Sequence, residues 1–135
     1  MAKVEKSLEV NKPADEVWAL IGDFHGLHKW IPNAQPSEAI DDGKRRKIQL
    51  GPNAIIEGLA ERTERSYTYT IDEGPLPVSN YRSTLSVDDA GDGKSVVSWV
   101  GTFEPAEGAT EESAVQIVNM IYDGGLAGLQ KTLDG

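Results

Sequence analysis

The apolar residues change period once along the chain, and that switch constrains the fold more than any other feature. In "KRRKIQL" (44–50) Arg46, Ile48 and Leu50 share one face, and Arg45, Lys47 and Gln49 share the other. "SYTYTI" (66–71) sets Tyr67, Tyr69 and Ile71 against Ser66, Thr68 and Thr70. "NYRSTLSV" (80–87) aligns Tyr81, Ser83, Leu85 and Val87, and "SVVSWVGTF" (95–103) aligns Val97, Trp99, Gly101 and Phe103. This period of two predicts strands with one buried face. From Thr110, an expected N-cap followed by Glu111 and Glu112, the spacing becomes helical: Val115, Val118, Tyr122, Leu126, Leu129 and Leu133 form one stripe. Such a helix has about 24 residues and is about 36 Å long. Gly124, Gly125 and Gly128 weaken its middle and allow a kink.

The start of the chain adds a strand, "AKVEKSLEVN", with Val4, Leu8 and Val10 inward and Lys6 an inward exception. "KPADEVWALIG" reads as a helix, with Pro13 at the first helical position and Gly22 as its stop. "FHGLHKWIP" reads as a second short helix ended by Pro32. Turn signals stand at "DDG" (41–43), "LGPN", "GPLP" and "DDAGDG". The expected fold is therefore α+β: about seven antiparallel strands, two short helices after the first, and one long terminal helix over the inner face.

The 135 residues suit a single domain, 1–135. With 22 acidic and 13 basic residues the net charge is −9, which argues against nucleic acid or an anionic membrane as partner. No cysteine is present, so thiolate chemistry and disulfides are excluded. "MAKVEKSLEV" lacks the apolar run of a signal peptide, and no run approaches the roughly 18 apolar residues of a membrane span. A cytoplasmic monomer or homodimer is the default expectation.

One residue resists the pattern. In "AIIEGLAE" (54–61) the phase that turns Ile55 and Leu59 inward also turns Glu57 inward, whereas the opposite phase buries Ile56 and leaves Glu57 in water. Apolar bulk favours the first and Glu61 opposes it. The preceding strand supplies a partner, because Arg46 shares its face with Ile48 and Leu50. A two-residue hairpin loop would set Arg46 directly opposite Glu57, and a four-residue loop would set them diagonally. Pro52 fits a tight turn poorly, so the diagonal is expected. A buried ion pair stabilises weakly, which favours a ligand role for the two. Tyr69 and Tyr81 share the inward parity, with Trp99 and Trp30 as flat apolar surface. Tyr67, Leu85, Val118 and Tyr122 complete the candidate lining of a small-molecule pocket. For the aromatic residues, ordinary packing is the competing reading. Asp23, His25 and His28 lack a recognised metal spacing, so no metal and no other cofactor is expected.

The element order, with "VWALIGDFHGLHKWIP", "GPLPVSNY", "VVSWVGTFEP" and "GLAGL", resembles the START and birch-pollen-allergen superfamily, and more narrowly the polyketide cyclase/dehydrase and lipid-transport family. The resemblance implies a helix-grip fold, a curved sheet around the terminal helix with a cavity between them. It implies binding of sterols, lipids, hormones or polyketides, with catalysis in some members. Through its "R…E…Y…Y" series the chain is similar to the lachrymatory-factor synthase branch. That likeness implies that Arg46, Glu57 and Tyr81 line the cavity and move protons, with Tyr69 as a wall. A carrier of a small hydrophobic or aromatic molecule is the first functional expectation. The alternative is a cofactor-independent cyclase, dehydratase or isomerase, with Glu57 as base, Arg46 holding the oxyanion and Tyr81 relaying a proton. A protein-interaction module is the third reading, and it would need a large apolar surface patch.

Overall fold

The computed structural model describes residues 2–31, 34–50 and 52–134. Seven strands, β1 (Ala2–Val10), β2 (Glu38–Ile40), β3 (Arg45–Leu50), β4 (Asn53–Arg62), β5 (Ser66–Glu73), β6 (Val78–Gly91) and β7 (Lys94–Pro105), form one antiparallel sheet. Its order is β1-β7-β6-β5-β4-β3-β2, so the sheet is open, with β1 and β2 at its edges. Helix α1 (Ala14–Ile21) and a 3₁₀ turn (Leu27–Lys29) follow β1, and helix α2 (Glu111–Asp134) ends the chain. This is the helix-grip arrangement, a curved sheet around a long terminal helix.

The alternation read from the sequence sets the inner face. Tyr67, Tyr69, Tyr81, Ser83, Leu85, Val87, Val97, Trp99 and Phe103 are all buried. Helix α2 lays Val118, Tyr122, Leu126 and Leu129 on that face, and fully burying a side chain of this size contributes about 1.5–3 kcal/mol. Thr110 caps it, its Oγ1 accepting from the Ser113 amide at 3.1 Å.

The glycines of α2 do not break it: one helix runs from Glu111 to Asp134. Gly125 is buried, and a Cβ there would come within 2.7 Å of the Trp99 ring. Its lost helix propensity, about 1 kcal/mol relative to alanine, is the cost of close approach between helix and sheet.

Several expectations shift. Pro13 is the N-cap of α1, one residue before the helix begins, because its extended ψ of 149° leads into the helix from outside. The second short helix is a single 3₁₀ turn. The Pro32 stop, Gly51 in the turn and the Leu50 side chain lie outside the described residues. Strand β2 completes the count of seven, although its three residues carry no alternation: none is buried. The β3–β4 connection is two residues long, since Leu50 pairs with Asn53. Arg46 is therefore directly opposite Glu57 rather than diagonal to it. Pro52 does not prevent this register.

Candidate functional site

Strand β4 buries Ile55 and Glu57 and then changes phase. Its register against β5 shifts between Leu59 and Glu61, a bulge that turns Glu61 outward to meet Arg82 at 3.2 Å. The second acidic residue that opposed the inward phase is thus accommodated by one irregular position, and Glu57 stays inside.

Arg46 and Glu57 form one of two polar clusters in the interior. Arg46 is 1 % exposed and Glu57 7 %. Arg46 Nε and Nη2 both donate to Glu57 Oε1, at 2.9 and 2.6 Å. Nη1 donates to the Phe24 carbonyl, and the guanidinium lies 4.0 Å from the centre of the Phe24 ring. Arg46 is anchored on both sides, to Glu57 and to Phe24, through three of its five N–H groups. Glu57 is not: both bonds from Arg46 fall on Oε1, and no hydrogen bond to Oε2 is found among the described residues. Burial lifts the Glu57 pKa above the ordinary carboxylate range, against the pull of Arg46. At neutral pH the pair stands as guanidinium and carboxylate, since a neutral Glu57 would leave a buried cation without counter-charge.

The second cluster is a chain of hydroxyls. Trp99 Nε1 donates to Tyr69 Oη at 3.0 Å. Tyr69 and Tyr81 are 3.2 Å apart, Tyr81 and Tyr122 2.5 Å, and Tyr122 and Ser83 2.8 Å. Gly101 makes the last contacts possible, because a Cβ at that position would overlap the Tyr122 hydroxyl. Burial holds Tyr69 and Tyr81 well above the usual phenol range and lifts Tyr122 to about 12. Five donor protons (one indole, three phenols and one serine) share four bonds, so one proton is left over. It sits at Ser83 if the chain runs away from Trp99, and at Tyr122, Tyr81 or Tyr69 as successively more of the chain reverses.

Both clusters border a cavity of about 60 Å³ between the sheet and α2. Its wall includes Arg46, Glu57, Tyr67, Tyr69, Tyr81, Leu85, Trp99, Trp30 and Val118, nine of the ten residues singled out by the sequence. Tyr122 is the exception: it lies outside the wall, its ring stacked 4.2 Å from that of Trp99 and its hydroxyl tied to Tyr81 and Ser83. Its helical phase pointed it correctly at the sheet, but it meets protein there rather than the hollow. The remaining wall is aliphatic, with Ile55, Ile71, Leu76 and Ile121. Trp30 is 2 % exposed and its indole N–H has no partner among the described residues.

Two contributors were not foreseen. Phe24 supplies a backbone acceptor and a ring to Arg46, from a loop without periodicity. Ser83 was visible as an inward residue but not as the end of a hydrogen-bonded chain. The histidines stand apart from the cavity: His28 is exposed, and His25 Nε2 meets the Gly43 carbonyl at 3.1 Å. Among the described residues no group of three potential metal ligands comes together, and no helix is long and apolar enough to cross a membrane.

The comparisons follow this geometry. An uncharacterised protein from Bacillus thuringiensis superposes with a TM-score of 0.94 at 36% identity, over 99% of this chain and 100% of that one. The protein XoxI from Bacillus cereus gives 0.92 at 37% identity, over 97% and 94%. A START superfamily protein from Mycobacterium smegmatis shares the fold at 13% identity, with a TM-score of 0.84 over 98% and 97%. No curated protein sequence matches. The family model for polyketide cyclase/dehydrase and lipid transport matches residues 1–134, and with that match over nearly the whole length the chain belongs to this family.

Proposed function

We propose that the protein binds a small hydrophobic or aromatic molecule in the cavity between sheet and α2. The observation that carries this reading is the combination of an apolar interior hollow with a wall carboxylate, Glu57, whose Oε2 receives no hydrogen bond among the described residues. The cavity of about 60 Å³ is well below the roughly 300–1,000 Å³ of drug-sized sites, so binding requires the half-buried aliphatic residues Ile31, Leu76 and Ile121 to move apart. The interaction-module reading loses support, because among the described residues the only large hydrophobic side chain counted as exposed is Met120.

The test is a titration of the Trp18→Phe variant with naphthalene, followed by tryptophan fluorescence. Trp18 lies against Tyr67 and Arg62, away from the hollow, so the remaining Trp30 and Trp99 both report on the wall. Saturable change is expected, and native mass spectrometry should show a small molecule retained from expression. A linear, unsaturable response together with a ligand-free mass spectrum would reject the reading.

A second reading is favoured by the leftover valences. Glu57 Oε2 is placed to accept a proton and the phenol chain has one to spare, which suits enolisation of a carbonyl compound without a cofactor. In that case Arg46 positions Glu57 through Nε and Nη2, and only its two remaining N–H groups are left to hold an oxyanion. Hydrogen–deuterium exchange at the acidic carbon of 2-tetralone, followed by NMR, addresses this. Exchange faster than buffer, and lost in Glu57→Gln, is the expected result; exchange at the buffer rate excludes it.

A further inference from the structure

The cavity has one strong polar feature to offer a ligand, and its chemistry is selective. Arg46 offers an anion only part of its fork: three of its five N–H groups are engaged, Nε and Nη2 with Glu57 Oε1 and Nη1 with the Phe24 carbonyl, and the guanidinium face lies against the Phe24 ring. Its charge is cancelled by a partner 2.6 Å away. Glu57 lines the hollow together with Arg46 and the aliphatic and aromatic walls, and its other oxygen, an acceptor carrying negative charge, receives no hydrogen bond among the described residues. We infer that Glu57 Oε2 is the specificity-determining atom of the cavity, selecting neutral apolar ligands that carry a hydroxyl or N–H donor and rejecting ligands that carry a carboxylate. The inference rests on the binding function proposed above and narrows its ligand class. It separates the chain's cargo from free fatty acids and aromatic acids, in which an apolar body bears an anionic head.

Two physical effects act in the same direction. A hydroxyl reaching Oε2 completes a charge-assisted hydrogen bond, stronger than a neutral one. A carboxylate would stand against a like charge where little water can screen it, and would have to shed its own hydration first. Elsewhere the lining gives an anion little compensation. The Trp30 indole N–H is one unsatisfied donor, and the phenol chain has one spare proton. Both suit a carbonyl or ether oxygen on a neutral ligand.

The experiment uses the whole protein and three probes of one shape: 2-naphthol, 2-methoxynaphthalene and 2-naphthoate, titrated calorimetrically at neutral pH. Naphthol should bind most tightly. The methoxy compound, an acceptor only, should bind on the order of ten- to a hundredfold more weakly, the value of one hydrogen bond to a charged group. Naphthoate should give no detectable binding. Naphthoate binding as well as naphthol would overturn the selection while leaving the cavity reading in place. Binding of none of the three would overturn the cavity reading itself. Glu57→Gln should narrow the gap between naphthol and naphthoate. Should that variant not fold, Ile121→Trp serves instead: filling the hollow from the helix side must abolish naphthol binding, and unchanged affinity would move the site elsewhere and overturn the inference.

Discussion

The Arg46–Glu57 corner and the Tyr69–Tyr81–Tyr122–Ser83 chain are neighbours, with the guanidinium 5.3 Å from the centre of the Tyr69 ring. They handle burial differently. The corner takes two full charges out of water, cancels them at 2.6 Å, and leaves one carboxylate oxygen without a partner among the described residues. The chain buries only neutral groups, each in at least one hydrogen bond, and leaves a single mobile proton. Neutral hydroxyls can be closed into a satisfied network at little cost. A buried ion pair pays desolvation that its attraction barely repays, so its retention in an apolar hollow points to a task other than holding the fold together.

The strongest way to break this contrast is to remove one charge. Arg46→Leu should destabilise the protein by about 3–5 kcal/mol, because Glu57 is left buried without its counter-ion. Arg46→Leu combined with Glu57→Leu should recover most of that loss, since two apolar groups of similar volume replace the pair. Denaturant midpoints at constant slope measure both. A double variant as unstable as the single one would make the pair structural and remove the reason to assign it a ligand.

Alkaline titration tests the chain instead. The four tyrosines of the sequence are all buried or carried above the usual phenol range. A phenol raised from 10.0 to about 12, as Tyr122 is, adds stability that is complete below pH 10 and is lost as pH rises through about 12. For two pKa units the loss is about 3 kcal/mol. Phenolate absorbance should therefore stay flat past pH 10 and then rise together with unfolding. A tyrosine ionising near 10 in the folded protein would mean that the chain is open to water.

Tyr122→Phe probes the same chain at neutral pH. It removes the hydroxyl that joins Tyr81 to Ser83 and leaves the rings in place, so a loss of about 1–3 kcal/mol is expected. The naphthol affinity should change little, because Tyr122 stands behind the wall. A large drop in affinity with no loss of stability would bring Tyr122 into the site.

Much of this was legible because each strand has one polar face. Tyr67, Tyr69, Tyr81 and Trp99 could be assigned inward from parity alone, and Glu57 became readable once Arg46 showed the same phase on the adjacent strand. What stayed hidden has physical reasons. The bulge at Leu59–Glu61 moves one side chain without leaving a compositional mark. The Phe24 carbonyl is a backbone acceptor, which residue type does not reveal. Gly101 read only as an inward strand position and Gly125 as a weak point in a helix, whereas their missing Cβ atoms are what let Tyr122 and Trp99 approach. Strand β2 has no buried residue to signal it.

Lys6 supplies the smallest effect and the sharpest control. Its parity places it inward on β1, yet its ammonium reaches Asp123 of α2 at 3.3 Å, with the two side chains 34% and 62% exposed. A long lysine stem lets the charge of an inward position reach water at the edge of the sheet. Screened by solvent, such a pair contributes no more than about 1 kcal/mol. Lys6→Met keeps the stem and removes the charge, so stability should change within that limit and naphthol binding should not change at all. The outcome bears on the whole contrast, because Lys6 and Arg46 are both cations on inward positions of the same sheet. If Lys6→Met cost as much as Arg46→Leu, parity rather than burial would set the price of a charge, and the special standing of the Arg46–Glu57 corner would be gone.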